Sequence, residues 1–228
     1  MKLSRRQLGL ASLSGLAGLA SLPSLSLGTS VAGLSGCSAA TQTLQLRGSD
    51  SEVNLVQRLA EAYMDAQPGV AIAVTGGGSG TGITALLEGT VDIANSSRPL
   101  EPQEKLLALR KGVSPVANLF ATDALTVIVN ADNPVTALRV DQVGRAFAGG
   151  TRDWRDLGGH GKLSCYGRQS SSGTYSFFRD AVVKGELADD IYEMNGNGQI
   201  LEGVARDPGG IGYVAVGYLR SGAEGVKA

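Results

Sequence analysis

The sequence predicts an α/β fold in which short buried strands alternate with helices, and three observations support this prediction. Short apolar, β-prone runs such as residues 70–74 recur along the chain. Segments with apolar residues at helical spacing follow most of these runs, and many are bounded by capping residues. Glycine accounts for 33 of the 228 residues, but only seven prolines and no repeat accompany it, so the glycines belong to turns between elements.

Composition excludes a nucleic-acid-binding surface. The chain has a net charge of −1 and is 43% hydrophobic, which is ample for a core. The first 36 residues contain Lys2, Arg5 and Arg6 and no acidic residue, so the remainder has 17 basic and 21 acidic residues, a net charge of −4. We therefore expect no nucleic-acid partner.

Residues 1–36 are predicted to be an export signal. The twin arginine Arg5-Arg6 precedes an apolar run that Ser, Gly and Pro dilute too much for a membrane span. A twin arginine indicates export by the Tat route. The end of the segment, Leu-Ser-Gly-Cys, resembles a bacterial lipobox and predicts lipidation of Cys37. Ordinary cleavage nearby, without a lipid anchor, is the alternative.

Cysteine and histidine are too few for a metal centre or a catalytic triad. Lipidation of Cys37 would leave the only other cysteine, Cys165, unpaired. The only histidine, His160, lies in a glycine-rich loop and is expected at the surface. The sequence therefore predicts no metal, no cofactor and no catalytic residues.

The first half of the chain repeats a unit of strand, polar loop and helix three times. Strands are predicted at 43–47, 70–74 and 90–95, and the helices that follow them at 53–63, 83–89 and 102–109. The loops after the strands carry glycine or hydroxyl side chains. In an open α/β sheet, ligands bind in the crevice beyond the carboxyl ends of the strands. Three such loops at equivalent ends predict a ligand site there, although Ser49, Asp50 or Ser51 could instead simply cap the first helix.

The glycine-rich turn between the second strand and its helix, residues 75–83, has the properties of an anion site. Gly78 and Gly80 allow positive φ and close approach of a ligand to the backbone. Free N–H groups at the start of a helix attract anions, and Ser79 and Thr81 add hydroxyl donors. No Lys follows the glycines, so the turn is not a Walker loop, and it fails the dinucleotide pattern at Thr81. A turn without a ligand is the alternative.

The second half of the chain repeats the unit of strand, polar loop and helix, and adds an arginine after one of its strands. Strands are predicted at 116–120, 124–130, 163–166 and 211–218, and helices at 140–147, 175–182 and 200–205. Arg168 and the sequence Ser172-Gly173-Thr174 follow the third of these strands. A guanidinium can bind a tetrahedral oxyanion through two nitrogens, while hydroxyl and N–H groups bind the remaining oxygens.

Together these motifs resemble the phosphate-binding solute receptors of bacterial ABC importers, which belong to the type II periplasmic binding-protein class. The most specific are the turn Gly-Ser-Gly-Thr-Gly at 78–82 and Arg-x-x-x-Ser-Gly-Thr at 168–174. Supporting matches are Gly48-Ser49-Asp50-Ser51, Val91-Asp92-Ile93-Ala94, Ser97-Arg98-Pro99-Leu100, Phe147-Ala148-Gly149 with Trp154, and Ile211-Gly212-Tyr213-Val214. The resemblance covers about residues 44–218.

The resemblance implies an α/β fold with two lobes and a ligand cleft between them. Lobe one would comprise 41–125 plus about 206–228, and lobe two 126–205. The implied ligand-binding residues are Ser49, Asp50, Ser51, Gly78, Ser79, Gly80, Thr81, Ser97, Arg98, Arg168, Ser172, Gly173 and Thr174.

This chain departs from the family pattern in two places. Well-known relatives carry an Asp in the third loop, which accepts a hydrogen bond from a protonated phosphate, whereas Ser97 stands here. Asp50 or Asp92 would have to supply that acceptor. Family members also usually continue beyond the last tyrosine-rich strand with more helix packed on lobe one. Some exposed apolar surface is therefore expected.

The function implied is that of a binding protein and not an enzyme. It would be a monomeric, lipid-anchored, extracytoplasmic receptor that captures inorganic phosphate and delivers it to an ABC permease. The same fold could bind molybdate, tungstate or sulfate, or serve a phosphate sensor. An exported phosphoester hydrolase with Ser79 or Ser172 as nucleophile is disfavoured. Thr81 occupies the glycine position of a nucleophile elbow around Ser79, and no base partner is evident beyond His160.

Overall fold

The computed structural model describes residues 42–221 and 223–228, and these form a mixed α/β fold with two sheets, as predicted. Within these ranges the strands are β1 (Gln42–Gly48), β2 (Val70–Thr75), β3 (Ile93–Asn95), β4 (Leu125–Asn130), β5 (Ser164–Arg168), β6 (Tyr192–Met194), β7 (Gly210–Ala215) and β8 (Val226–Lys227). The α-helices are α1 (Val53–Ala66), α2 (Ser79–Leu87), α3 (Pro102–Lys111), α4 (Val140–Phe147), α5 (Gly173–Phe178) and α6 (Asn197–Arg206). Trp154–Leu157 and Val216–Ser221 are 3₁₀-helices, and Arg179–Val183 is π-helical. The predicted export signal and Cys37 lie outside the described residues.

The first sheet has three parallel strands in the order β2-β1-β3. Leu46 of β1 pairs with Val74 on one side and with Ile93 on the other. Helix α2 buries Ile83 and Leu87 beneath this sheet. Because all three strands run in one direction, their carboxyl ends and the loops after them lie at the same edge.

The second sheet is mixed, in the order β6-β5-β7-β4-β8. Its strand β7 is parallel to β5 and antiparallel to β4. The core beside it is aromatic: the Phe178 ring stacks on Tyr213 with 3.9 Å between ring centroids, and Phe147 meets Phe178 edge-on at 4.8 Å. Trp154 is fully buried and donates from Nε1 to the carbonyl of Gly209 at 2.9 Å. No helix of the described ranges is long and apolar enough to cross a membrane.

Two neighbouring phenylalanines provide a test of this core. Phe178 is fully buried, whereas 56% of Phe177 is exposed. We expect Phe178→Ala to lower the free energy of unfolding by about 3–5 kcal/mol, because it removes buried ring surface and leaves a cavity. Phe177→Ala should cost within about 1 kcal/mol. Urea unfolding of both variants measures the difference, and equal losses would contradict the packing described.

The prediction of a strand at 116–120 was wrong. The backbone from 113 to 124 has no regular secondary structure, and Val116 and Leu119 are 82% and 88% exposed. The apolar composition favoured a strand, but in the described residues no neighbouring strand pairs with this segment. The strand predicted at 211–218 ends at Ala215 and continues as a 3₁₀-helix.

The last strands belong to a different sheet from the one expected. Residues 206–228 were predicted to join lobe one, but β7 pairs with β4 and β5, and β8 pairs with β4. Every residue of β7 is buried, as befits a central strand. The sheets therefore divide near the start of β4, and we propose that lobe one is 42–124 and that lobe two begins at 125.

Candidate functional site

Three serines from the three loops of the first sheet lie in contact. Ser49 Oγ donates to Ser97 Oγ at 3.1 Å, and Ser79 Oγ lies 3.2 Å from the same atom. The Ser97 N–H also donates to Ser79 Oγ at 3.1 Å. Ser49 and Ser79 are buried. Each serine follows a different parallel strand, so the strand order of the sheet brings the hydroxyls together.

The first loop does not cap the helix that follows it. The N-cap of α1 is Glu52, which makes no side-chain cap hydrogen bond. Asp50 instead accepts from the Gly77 N–H at 2.8 Å. The capping alternative for Ser49, Asp50 and Ser51 is therefore wrong, and their side chains are directed to the neighbouring loops.

The glycine-rich turn places the start of α2 against the second lobe. Gly77 and Gly78 have φ of 117° and 98°, a region that favours glycine. The Gly80 N–H donates across the lobes to the Ser171 carbonyl at 2.9 Å. The Thr81 hydroxyl donates to the Gly77 and Gly78 carbonyls, each at 2.8 Å. The hydroxyl of Thr81 thus closes the turn.

Arg168 is the cation of the site and is 1% exposed at the end of β5. Its Nη2 donates to Asp50 Oδ2 at 2.6 Å and to the Asn195 carbonyl at 3.0 Å. Among the described residues, no partner is found for its Nε and Nη1. Burying two donors of a guanidinium without acceptors is costly, so their burial indicates a site for an acceptor ligand.

Tyr213 holds the backbone of Arg168 in place. The Arg168 N–H donates to the Tyr213 hydroxyl oxygen at 3.0 Å. Burial raises the pKa of this phenol well above its ordinary value. Tyr213 is therefore neutral and adds no charge beside the guanidinium.

The loop between β5 and α5, together with the start of α5, also contacts the loops of the first sheet. Thr174 Oγ1 lies 2.7 Å from Ser51 Oγ, and Ser172 is the N-cap of α5, accepting from the Tyr175 N–H at 3.4 Å. Gly173 packs against the serine cluster, which is Ser49, Ser79 and Ser97. A Cβ at position 173 would lie 2.5 Å from Ser97 Oγ and 2.6 Å from Ser79 Oγ. A side chain at this position would displace the two serine hydroxyls.

Two of the predicted ligand residues have side chains that are engaged elsewhere: Thr81, whose hydroxyl donates within its own turn, and Arg98. Both terminal nitrogens of Arg98 donate to the Glu104 carboxylate at 2.8 Å. This ion pair fastens the third loop to α3. Asp92, one of the two candidate acceptors, is exposed and accepts from the Gln45 N–H in the middle of β1. Asp50 is therefore the carboxylate at the meeting of the lobes.

Four residues near the site were not predicted from the sequence. Besides Tyr213 and the Asn195 carbonyl, they include Tyr218, which donates to the Asp50 carbonyl at 2.7 Å, and Asn197, which donates to Ser51 Oγ at 3.3 Å. Asn195 and Asn197 flank Gly196 in a polar, glycine-containing turn before α6. A polar turn followed by a helix was the signal that could have revealed them.

The described residues offer no alternative centre built on metal or thiol chemistry. His160 is exposed, as predicted. Cys165 is a free, buried cysteine, and burial raises the pKa of its thiol to about 12. Within the described ranges, no three His, Cys, Asp or Glu side chains cluster closely enough to hold a metal ion.

Comparison with known proteins agrees with this geometry. Residues 35–226 match the family model described as a PBP superfamily domain. The chain is 34% identical over 196 residues to the phosphate-binding protein PstS of Pseudomonas aeruginosa, covering 79% of this chain and 61% of the relative. It is 34% identical over 182 residues to PstS of Bacillus subtilis, covering 79% and 59%. The chain thus spans about 60% of the length of these curated relatives.

Two solved structures extend the comparison to the fold. A putative phosphate ABC transporter substrate-binding protein from Clostridium perfringens, with bound phosphate, superposes with a TM-score of 0.70 at 28% identity, covering 78% of this chain and 72% of the other. An ABC-type phosphate transport receptor from Vibrio cholerae gives a TM-score of 0.61 at 29% identity, covering 81% and 75%. These neighbours confirm the two-lobed type of fold. This chain belongs to the PBP superfamily and is similar, within it, to the PstS phosphate-binding proteins.

Proposed function

We propose that this chain binds inorganic phosphate between its two lobes. The observation that supports this most directly is the buried Arg168 guanidinium, whose Nε and Nη1 have no partner among the described residues. Two adjacent N–H donors in a fixed plane suit two oxygens of a tetrahedral oxyanion. Thr174 and one hydroxyl of the Ser79–Ser97 contact would supply further donors, because that contact uses only one of its two hydroxyl protons.

The similarity to PstS proteins supports phosphate over other oxyanions, and Asp50 gives a physical reason for that preference. Its carboxylate lies 2.6 Å from the guanidinium that would hold the ligand. A ligand oxygen near Asp50 would be repelled unless it carried a proton. Phosphate retains a proton near neutral pH and sulfate does not.

We further propose that the protein is an extracytoplasmic receptor of an ABC phosphate importer and catalyses no reaction. The twin arginine and the lipobox-like sequence support export and lipidation at Cys37. The curated relatives are phosphate-binding proteins by name. The receptor would act as a monomer and pass its ligand to a membrane permease.

The mechanism would be a shift of population between open and closed lobes. Arg168, Ser172 and Thr174 belong to one lobe, and the serine cluster and Asp50 to the other. Only a closed arrangement brings both sets onto one anion, so the ligand would stabilise that arrangement.

Calorimetric titration of the full chain tests this proposal. Phosphate, sulfate and molybdate would be added separately to protein freed of ligand by dialysis. We expect tight binding of phosphate and little heat from sulfate. Preference for sulfate or molybdate would show that the ligand is a different oxyanion, without affecting the fold assignment. A folded protein that binds none of the three anions would refute the receptor function.

Asp50→Asn tests the origin of the selectivity. Asparagine keeps an acceptor for the Gly77 N–H and removes the negative charge. We expect sulfate to bind about ten-fold more tightly than to the unmodified protein, because about 1.4 kcal/mol of repulsion is relieved. Asp92→Asn, at an exposed carboxylate of the same lobe, is the matched control and should leave the ratio of phosphate to sulfate affinity unchanged. An unchanged ratio in Asp50→Asn as well would exclude Asp50 as the discriminating group.

A further inference from the structure

Asn197 has a hydrogen-bonding arrangement that fixes the orientation of its amide. It is the first residue of α6 and is 1% exposed. Its Oδ1 accepts from the Ala215 N–H at 3.1 Å, and its Nδ2 donates to Ser51 Oγ at 3.3 Å. A backbone N–H can only donate, so the atom facing Ala215 must be the amide oxygen. The atom facing Ser51 is then the NH₂ group.

The orientation of the Asn197 amide determines how many hydroxyl protons of Ser51 and Thr174 remain free to donate to a ligand. Ser51 and Thr174 each carry one hydroxyl proton, and their contact of 2.7 Å uses one of the two. Asn197 gives a proton to Ser51 and takes none. One hydroxyl proton of the pair therefore stays free, whichever of the two residues donates in their mutual bond. An acceptor in place of the Asn197 amide nitrogen would consume that proton.

We propose that Asn197 is a positioning residue that keeps one hydroxyl proton of the Ser51–Thr174 pair available to donate to the oxyanion. The inference rests on the proposed function and names a residue that determines how the ligand is held. Asn197 connects three elements in doing so: the end of β7 through Ala215, the first loop through Ser51, and the start of α5 through Thr174. It would not touch the ligand itself.

A double-mutant cycle tests whether Asn197 acts through Ser51. Phosphate affinity would be measured by calorimetry on the full chain for Asn197→Ala, Ser51→Ala and the double variant. We expect Ser51→Ala to weaken phosphate binding about five- to ten-fold, the effect of about one hydrogen bond. Asn197→Ala leaves the number of hydroxyl protons unchanged but no longer fixes the position of Ser51 Oγ, so it should weaken binding less, by about two- to five-fold. The double variant should be no weaker than Ser51→Ala alone, because Asn197 has nothing left to orient.

Asn197→Asp keeps the test informative if the alanine variant does not fold. Aspartate has the same shape and still accepts from the Ala215 N–H, but it accepts from Ser51 instead of donating. We expect it to weaken phosphate binding more than Asn197→Ala does. The matched control is Asn130→Asp: Asn130 is also buried and donates from Nδ2 to the carbonyls of Val204 and Ala205. That control should lower the melting temperature and leave phosphate affinity unchanged.

The outcomes separate this inference from the proposed function. If the unmodified protein binds phosphate and the effects of Asn197→Ala and Ser51→Ala add fully, Asn197 does not act through Ser51 and the inference fails alone. Unchanged affinity in Asn197→Asp leads to the same conclusion. If the unmodified protein binds no oxyanion, both the proposed function and the inference fail.

Discussion

Replacing Arg168 with alanine should weaken phosphate binding about 100-fold or more. The guanidinium is fully buried and, under the proposed function, two of its nitrogens bind the ligand. Charge-assisted hydrogen bonds contribute about 1.5–3 kcal/mol each, and about 1.4 kcal/mol corresponds to a factor of ten in affinity. Titration calorimetry with phosphate measures the loss.

The control for this substitution is Arg152→Ala. Arg152 lies in the same lobe, its side chain is 39% exposed, and it pairs with Asp190 at 2.5 Å. Its removal should leave phosphate affinity within about two-fold, because exposed ion pairs contribute little. The phosphate affinity of Arg168→Lys should lie between those of Arg168→Ala and Arg152→Ala, since lysine keeps the charge and lacks the planar guanidinium. A folded Arg168→Ala protein with unchanged affinity would disprove the assignment of Arg168 to the site.

Gly173→Ala should also weaken phosphate binding, by about ten-fold or more. The added methyl group would lie 2.5 Å from Ser97 Oγ and 2.6 Å from Ser79 Oγ, closer than carbon and oxygen can approach. Either the two serine hydroxyls would rotate away or the loop before α5 would move, and both changes would prevent the two sets of donors from meeting on one anion. Titration with phosphate, accompanied by a thermal melt to show that the protein is folded, measures this effect.

Gly185→Ala is the matched control for Gly173→Ala. No atom lies within 4 Å of the position that its Cβ would occupy. The substitution should therefore leave both the melting temperature and the phosphate affinity unchanged. If Gly173→Ala binds phosphate as tightly as this control, the lobes do not close on the ligand in the way described.

The sequence was sufficient to predict the part of the site that depends on local structure. A β-prone run followed by glycines and a helical pattern predicts the turn before α2, and the same reasoning predicts the loop that carries Arg168 and Ser172. The meeting of Ser49, Ser79 and Ser97 also follows, because equivalent ends of strands in an open sheet share one edge. The turn and the loop need only the local pattern, whereas the meeting of the three serines also needs the three strands to be parallel neighbours.

Contacts between distant segments could not be predicted in the same way. Asn197 reaches Ser51 across 146 positions of the chain, and Tyr218 reaches Asp50 across 168. The place of β7 depends on which strands it pairs with, and the pattern of β7 alone is compatible with either sheet. Residues 116–120 have the composition of a strand, but a strand also needs a partner, which composition does not reveal.

The depth of the Arg168 guanidinium has a consequence for the kinetics of capture. Its side chain is fully enclosed, and the chain after residue 36 has a net charge of −4, so the protein presents no attractive field to an approaching anion. Encounter should therefore proceed without electrostatic attraction, and added salt should raise the association rate slightly, because it screens the repulsion between the negatively charged protein and the anion. Differences in affinity among variants of the site should then appear in the rate of dissociation, once the ligand has exchanged its water shell for the enclosed donors.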